Sequence, residues 1–139
     1  MGYRLSLLAS INSRKFEVLL SEIGLTRLMW CVLLAIEEEK LTQPSEIASF
    51  IGINRTAASR TLRQMHERGL INRLAGRKDG RNIVVTTTDA GKAALDQAIP
   101  MARTVGGEIR AKLTPEEAAT LEALVDKMLA GENRDLSGL

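Results

Sequence analysis

Between residues 43 and 88 the sequence is punctuated so closely that few folds can accommodate it. Pro44 suits the first turn of a helix and Gly52 the turn just after a short one. Asn54 is a strong N-cap, and residues 55–68 contain no Gly, no Pro and no run of β-branched side chains, so a second helix follows at once and ends at Gly69. A short helix, a tight Gly-containing turn and a second helix form a helix-turn-helix. Past Gly69 the period changes from helical to alternating. Residues 70–75 and 82–88 read as two strands, the second dense in Val and Thr, and 76–81 as a Gly-flanked hairpin tip. A hairpin placed directly after a helix-turn-helix is a wing.

The flanks are helical. Leu5, Leu8, Phe16, Leu19, Leu20 and Ile23 fall at mostly helical intervals, and Gly24 follows where a left-handed residue closes a helix. Thr26 caps a helix whose stretch 28–39 is apolar almost all round and therefore central. From Asp89 the chain is helical again, with Pro100 and Gly106-Gly107 expected to bend or loosen it. Thr114-Pro115-Glu116-Glu117 carries a capping box, behind which Ala118, Leu121, Leu124, Val125, Met128 and Leu129 form one apolar stripe. Residues 131–139 are expected to fray. With 139 residues and no internal repeat or low-complexity linker, the expectation is a single mainly α (α+β) domain. Within it, residues 25–88 form a winged helix-turn-helix reading head, and 1–24 and 89–130 supply helices for pairing with a second chain. The core is mainly aliphatic, because the aromatic inventory is only Tyr3, Phe16, Trp30 and Phe50.

The net charge of +2 conceals an asymmetry. Residues 53–81 hold eight basic side chains against two acidic ones, a local +6, which leaves 11 basic and 15 acidic elsewhere, or −4. A basic block on an acidic scaffold is what a polyanion-facing surface requires. One cysteine and one histidine, Cys31 and His66, cannot supply a disulfide framework or an ordinary four-ligand zinc site, so no metal and no cofactor is expected. A Ser-His-Asp arrangement would need His66, which lies in a basic helical segment with no nucleophile elbow, so no enzyme activity is expected. The longest apolar run, Leu28 to Ile36, has nine residues and is too short to span a membrane. The first residues fit a loose myristoylation pattern but read better as an ordinary helix start; with a lone Cys, the expected address is cytoplasmic.

On a helical wheel Ala58, Leu62 and Met65 share one face, Thr56, Arg60 and Arg63 the opposite one, and Arg55 and Ser59 the flank. Arginine forks can bond guanine O6 and N7 in a major groove, Ser and Thr can reach bases or phosphates, and the helix N-terminus behind Asn54 directs free amides at the backbone. Taken alone, such a face would equally suit plain solvation. The wing shifts the balance toward DNA: Arg77, Lys78 and Arg81 crowd a tip that can enter the minor groove, where arginine is favoured. Asp79 has two local readings, a turn residue before Gly80 or an ion-pair partner that fixes the direction of Arg81.

These residues, in this order, resemble the MarR (multiple antibiotic resistance regulator) family of winged helix-turn-helix transcription factors. The match covers almost the whole chain: Gly24-Leu25-Thr26, Leu41-Thr42-Gln43, Ile47-Ala48, Gly52-Ile53, Arg55, Ser59-Arg60, Leu62, Arg68-Gly69-Leu70-Ile71, Asp79-Gly80-Arg81, and Thr88 with Gly91. Thr87 stands where a leucine is usual, and Pro44 adds a residue at the start of the third helix. The resemblance implies that Arg81 is the minor-groove residue and Asp79 its orienting partner.

Apolar stripes on the terminal helices call for a second copy, and two-fold symmetry would set two reading helices about 34 Å apart on a pseudo-palindromic operator. The resemblance implies the same homodimer, with the first and last helices interleaved. It also implies release by a small aromatic or phenolic effector, for which Phe16 and Trp30 are the candidate pocket residues, although aromatics at helical spacing also suit plain core. Cys31 sits in an apolar run, with Arg27 the nearest basic residue, and reads as a buried inert thiol rather than an oxidant sensor. His66 reads as a phosphate neighbour or surface residue. The competing reading of the whole chain is a helical protein-interaction module whose basic block binds an acidic partner.

Overall fold

The structure is a computed structural model that describes residues 1–76, 82–133 and 135–136. The order of elements is α1 (Gly2–Glu22), α2 (Arg27–Glu37), α3 (Pro44–Ile51), α4 (Arg55–Glu67), β1 (Ile71–Ala75), β2 (Ile83–Thr87), α5 (Asp89–Arg110) and α6 (Pro115–Leu129). This is a winged helix-turn-helix with long helices at both ends. Local chemistry sets the boundaries. Thr26, Asn54, Thr88 and Thr114 each accept a bond from the amide three residues on, which satisfies a donor the helix leaves open. At Thr114 the bond is reciprocated by the Glu117 carboxylate, completing the capping box. Gly52 ends α3 at φ +79°, a left-handed turn that an L side chain rarely adopts.

β1 and β2 pair antiparallel, Ile71 opposite Thr87 and Ala75 opposite Ile83. The hairpin is fastened to the body by a backbone bond, Val85 N–H to Thr42 O at 2.8 Å, so the α2–α3 connection runs beside β2 as a third edge. α2 lies at the centre, as its nearly all-round apolarity requires. Its Leu33 and, around it, Leu20, Ile47, Leu62, Met65 and Val85 are essentially inaccessible to water. Cys31 is buried with them, and burial raises its thiol pKa, with Arg27 opposing the rise.

α5 runs unbroken from Asp89 to Arg110, through Pro100 and Gly106-Gly107. Pro100 and Asp96, whose carbonyl loses its helical donor to the proline, both lie on the solvent side, so water can satisfy that oxygen. The Thr104 hydroxyl donates to Pro100 O at 3.0 Å. Of the C-terminal segment, Leu136 makes a defined contact: its N–H donates to Phe50 O at 2.9 Å and its side chain packs against the core. An apolar residue near a free helix-end carbonyl supplies both contacts at once.

The terminal helices are less enclosed. α1 buries Phe16 and Leu20, while Leu5, Leu8 and Ile11 remain exposed. α6 buries only Ala118, and its Leu121, Leu124, Val125, Met128 and Leu129 face outward. Ion pairs Lys15–Glu108 and Arg110–Glu122 tie α1 to α5 and α5 to α6 at the surface. Among the described residues, no single helix is long and apolar enough to cross a membrane.

Candidate nucleic-acid interface

The turn into α4 is tight because Gly52 N–H and Ile53 N–H both return to Ala48 O, at 2.9 and 3.0 Å. Asn54 then takes an extended conformation, and its side-chain oxygen accepts from Ala57 N–H at 2.8 Å. With that start, the helical period sends Ala58, Leu62 and Met65 into the core. Thr61 is buried beside them, its hydroxyl donating to Ala57 O at 2.9 Å. Arg55, Thr56, Ser59, Arg60 and Arg63 are left on the opposite side, all exposed.

Those five side chains line one open concavity of about 440 Å³ along α4. Asn54 is not part of its lining; it serves as the cap. Among the described residues the ion pairs are Lys15–Glu108, Arg27–Glu17 and Arg110–Glu122, so no carboxylate among them neutralises Arg55, Arg60 or Arg63. Three guanidiniums and two hydroxyls on one helix face form a donor-rich, positively charged strip, the chemistry that phosphates and guanine edges accept.

A second concavity of about 370 Å³ lies between the start of α3, the flank of α4 and the wing strands. Arg55 and Ser59 line it from α4, Ser45 from α3 and Gln43 from the residue that caps it, and Arg73 and Asn82 from the hairpin. Among the described residues the buried Arg73 Nε has no hydrogen-bond acceptor, a donor left beside this space. Arg73 belongs to the basic block, but the strand pattern that places it gives no hint that it reaches back to α4. Arg77, Lys78, Asp79 and Arg81, the expected wing-tip residues, lie outside the described residues.

The remaining candidates take definite places. Phe16 and Trp30 pack edge to face, ring centroids 4.9 Å apart, with Phe16 buried and Trp30 partly so. His66 Nδ1 lies 3.1 Å from Ile71 O; since a carbonyl can only accept, that nitrogen carries the proton, and the ring ties the end of α4 to β1.

Known proteins share this architecture. The sequence profile of the MarR family matches residues 23–82, the segment from the end of α1 to the residue before β2. The multiple antibiotic resistance protein MarR of Escherichia coli K12 is 28% identical over 127 residues, 88% of each chain. The HTH-type transcriptional repressor Rv2887 of Mycobacterium tuberculosis H37Rv is 23% identical over 128 residues, 92% of each chain. Among solved structures, the reduced form of E. coli MarR superposes with a TM-score of 0.84 at 26% identity, covering 93% of this chain and 96% of that one. A mutant MarR from E. coli complexed with operator DNA gives 0.74 at 26% identity over 92% of each chain. Profile, relatives and superposition agree with the order of elements built up from the residues, and together they support a resemblance of this chain to the MarR family.

Proposed function

We propose that the chain is a sequence-specific DNA-binding transcriptional regulator, acting as a homodimer on a pseudo-palindromic operator in the cytoplasm. The observation that carries this reading is the exposed, cationic strip of Arg55, Thr56, Ser59, Arg60 and Arg63 on the second helix of a helix-turn-helix. α4 enters a major groove, Arg60 and Arg63 meet base edges or phosphates, and Asn54 holds the helix N-terminus toward the backbone. Arg77, Lys78 and Arg81 follow the adjacent minor groove, with Asp79 orienting Arg81. The name of the mycobacterial relative, a transcriptional repressor, favours repression as the sign of regulation. The outward apolar stripes of α1 and α6 are the dimer surface, which in a single chain is left facing water. Release would come from a small aromatic or phenolic molecule bound beside Phe16 and Trp30, whose rings pack edge to face.

Selection on random duplexes tests the reading, because it reports base preference and half-site spacing together. A symmetric site is expected, protected in a footprint. Arg60→Ala should relax preference at one position per half-site at a cost of about 1–3 kcal/mol, and Arg81→Ala should weaken binding without changing the selected bases. Sequence-independent binding with no footprint would overturn the operator assignment.

A further inference from the structure

Arg68 counts toward the basic block but does not join its outward face. Its guanidinium turns back onto the corner between α1 and α2, where Nη2 donates to Gly24 O and Nη1 lies 3.3 Å from the Met29 sulfur. Gly24 is shaped for this: it sits at φ +72°, and a Cβ there would stand 2.6 Å from Arg68 Nη2. Met29 is buried in α2, so the side chain bridges the corner to the core.

The same turn is held from the other side. The Thr88 hydroxyl donates to Gly69 O at 2.5 Å and Thr88 N–H to Leu70 O at 3.1 Å. Gly91, in the first turn of α5, lies so close that a Cβ would stand 2.1 Å from Leu70 O. Arg68, Gly69 and Leu70, the three residues that follow α4, are thus clamped between the corner after α1 and the start of α5, two of the helices whose outer parts carry the proposed pairing surface or its neighbour.

We infer that Arg68 is a positioning residue that sets the angle of α4 relative to the terminal helices, and so the presentation of Arg60 and Arg63. The inference rests on the reading of α4 as the DNA-reading helix. It assigns Arg68 to the protein interior's side of the joint rather than to a phosphate. A guanidinium holds two acceptors in a fixed fork, which a lysine ammonium on a flexible stem does not reproduce. A phosphate contact, by contrast, needs only a positive charge within reach.

The experiment compares the full-length wild type with Arg68→Lys, Arg68→Met and Arg63→Ala. Each is put through duplex selection and then titrated against the selected site at several salt concentrations. Both Arg68 variants should weaken binding by about tenfold, leave the slope of log affinity against log salt unchanged, and broaden the selected half-site spacing without changing the preferred bases. Arg63→Ala should instead lower that slope by about one. Full affinity in Arg68→Lys together with a lowered slope in Arg68→Met would make Arg68 a phosphate contact and overturn the proposal. So would unchanged spacing and affinity in the folded fraction of both variants, which would reduce Arg68 to a stability role. Hydrogen exchange in the absence of DNA tests the clamp separately. The Gly69 and Leu70 amides, bonded to His66 O and Met65 O at 2.9 Å each, should exchange at least about tenfold faster in Arg68→Met while mid-α4 amides do not change. Equal exchange would overturn the clamp. Should the wild type select no duplex, the DNA reading fails while this measurement still decides whether Arg68 holds the turn.

Discussion

The reading head and the terminal helices are built from the same residue types and solve opposite problems. Between α2 and β2 the apolar side chains close on one another: Leu33, Ile47, Leu62, Met65, Ile71 and Val85 meet almost no solvent. On α6, Leu124 and Met128 stand 51% and 53% exposed although their spacing is that of a core stripe. The head therefore closes its apolar core within a single chain, while the helices at either end leave their apolar stripes facing water, as the proposed dimer requires. The difference also separates two kinds of sensitivity. Damage to the head should appear as lost folding, and damage to α6 as lost assembly.

The largest expected effect falls in the head. Leu62→Ala removes a fully enclosed side chain beneath the reading face and should cost about 2–5 kcal/mol, seen as a lower denaturation midpoint at every protein concentration. A midpoint shift that disappears on dilution would place Leu62 in the wrong region. Next comes α6. Leu121→Asp sets a carboxylate in the outward stripe, and the dimer dissociation constant should rise by at least about a hundredfold, some 3 kcal/mol, with the head's own stability little changed. Sedimentation that still shows a dimer at micromolar concentration would remove α6 from the interface.

The smallest effect is a pH dependence within the dry head. Burial raises the Cys31 thiol pKa above its unfolded value, so in alkaline solution the folded chain retains a proton that the unfolded chain has lost. The resulting stability is fully present below the unfolded pKa of about 8.5 and declines above it, by at most about 1.4 kcal/mol per pH unit. Cys31→Ala should remove that alkaline decline, as followed by chemical denaturation between about pH 7 and pH 10. An unchanged decline would show that another group titrates.

Much of the fold is readable from the residues because its boundaries are made locally. A capping hydroxyl or amide needs only the amide three residues on, and Gly52 needs only its own backbone freedom, so Thr26, Asn54, Thr88, Thr114 and Gly52 mark their helix ends without reference to the rest of the molecule. The α4 face is readable for the same reason, since one helical period decides which side chains share a side. What escapes depends on residues far apart in sequence. Arg68 looks like one more outward cation until Gly24 is placed beside it. Arg73 reads as a strand residue until the hairpin folds against α4. The Thr42–Val85 bond and the docking of Leu136 on Phe50 O likewise leave no local signature, and Lys40 adopts a left-handed φ of +56° that its residue type does not announce. Pro100 is accommodated inside α5 because water can reach the carbonyl it orphans.

The unbroken course of α5 bears on which changes of length the chain can absorb. Its 22 residues span about 33 Å from the clamped turn to the α5–α6 corner. One inserted residue would advance everything beyond it by only about 1.5 Å but rotate it by about 100°, swinging the α6 stripe away from any partner it had met. Four inserted residues return to within about 40° of the original heading, and seven to within about 20°. Tolerated length variants of α5 should therefore come in steps of about three, four or seven residues, so that the α6 stripe keeps its phase relative to the α4 face.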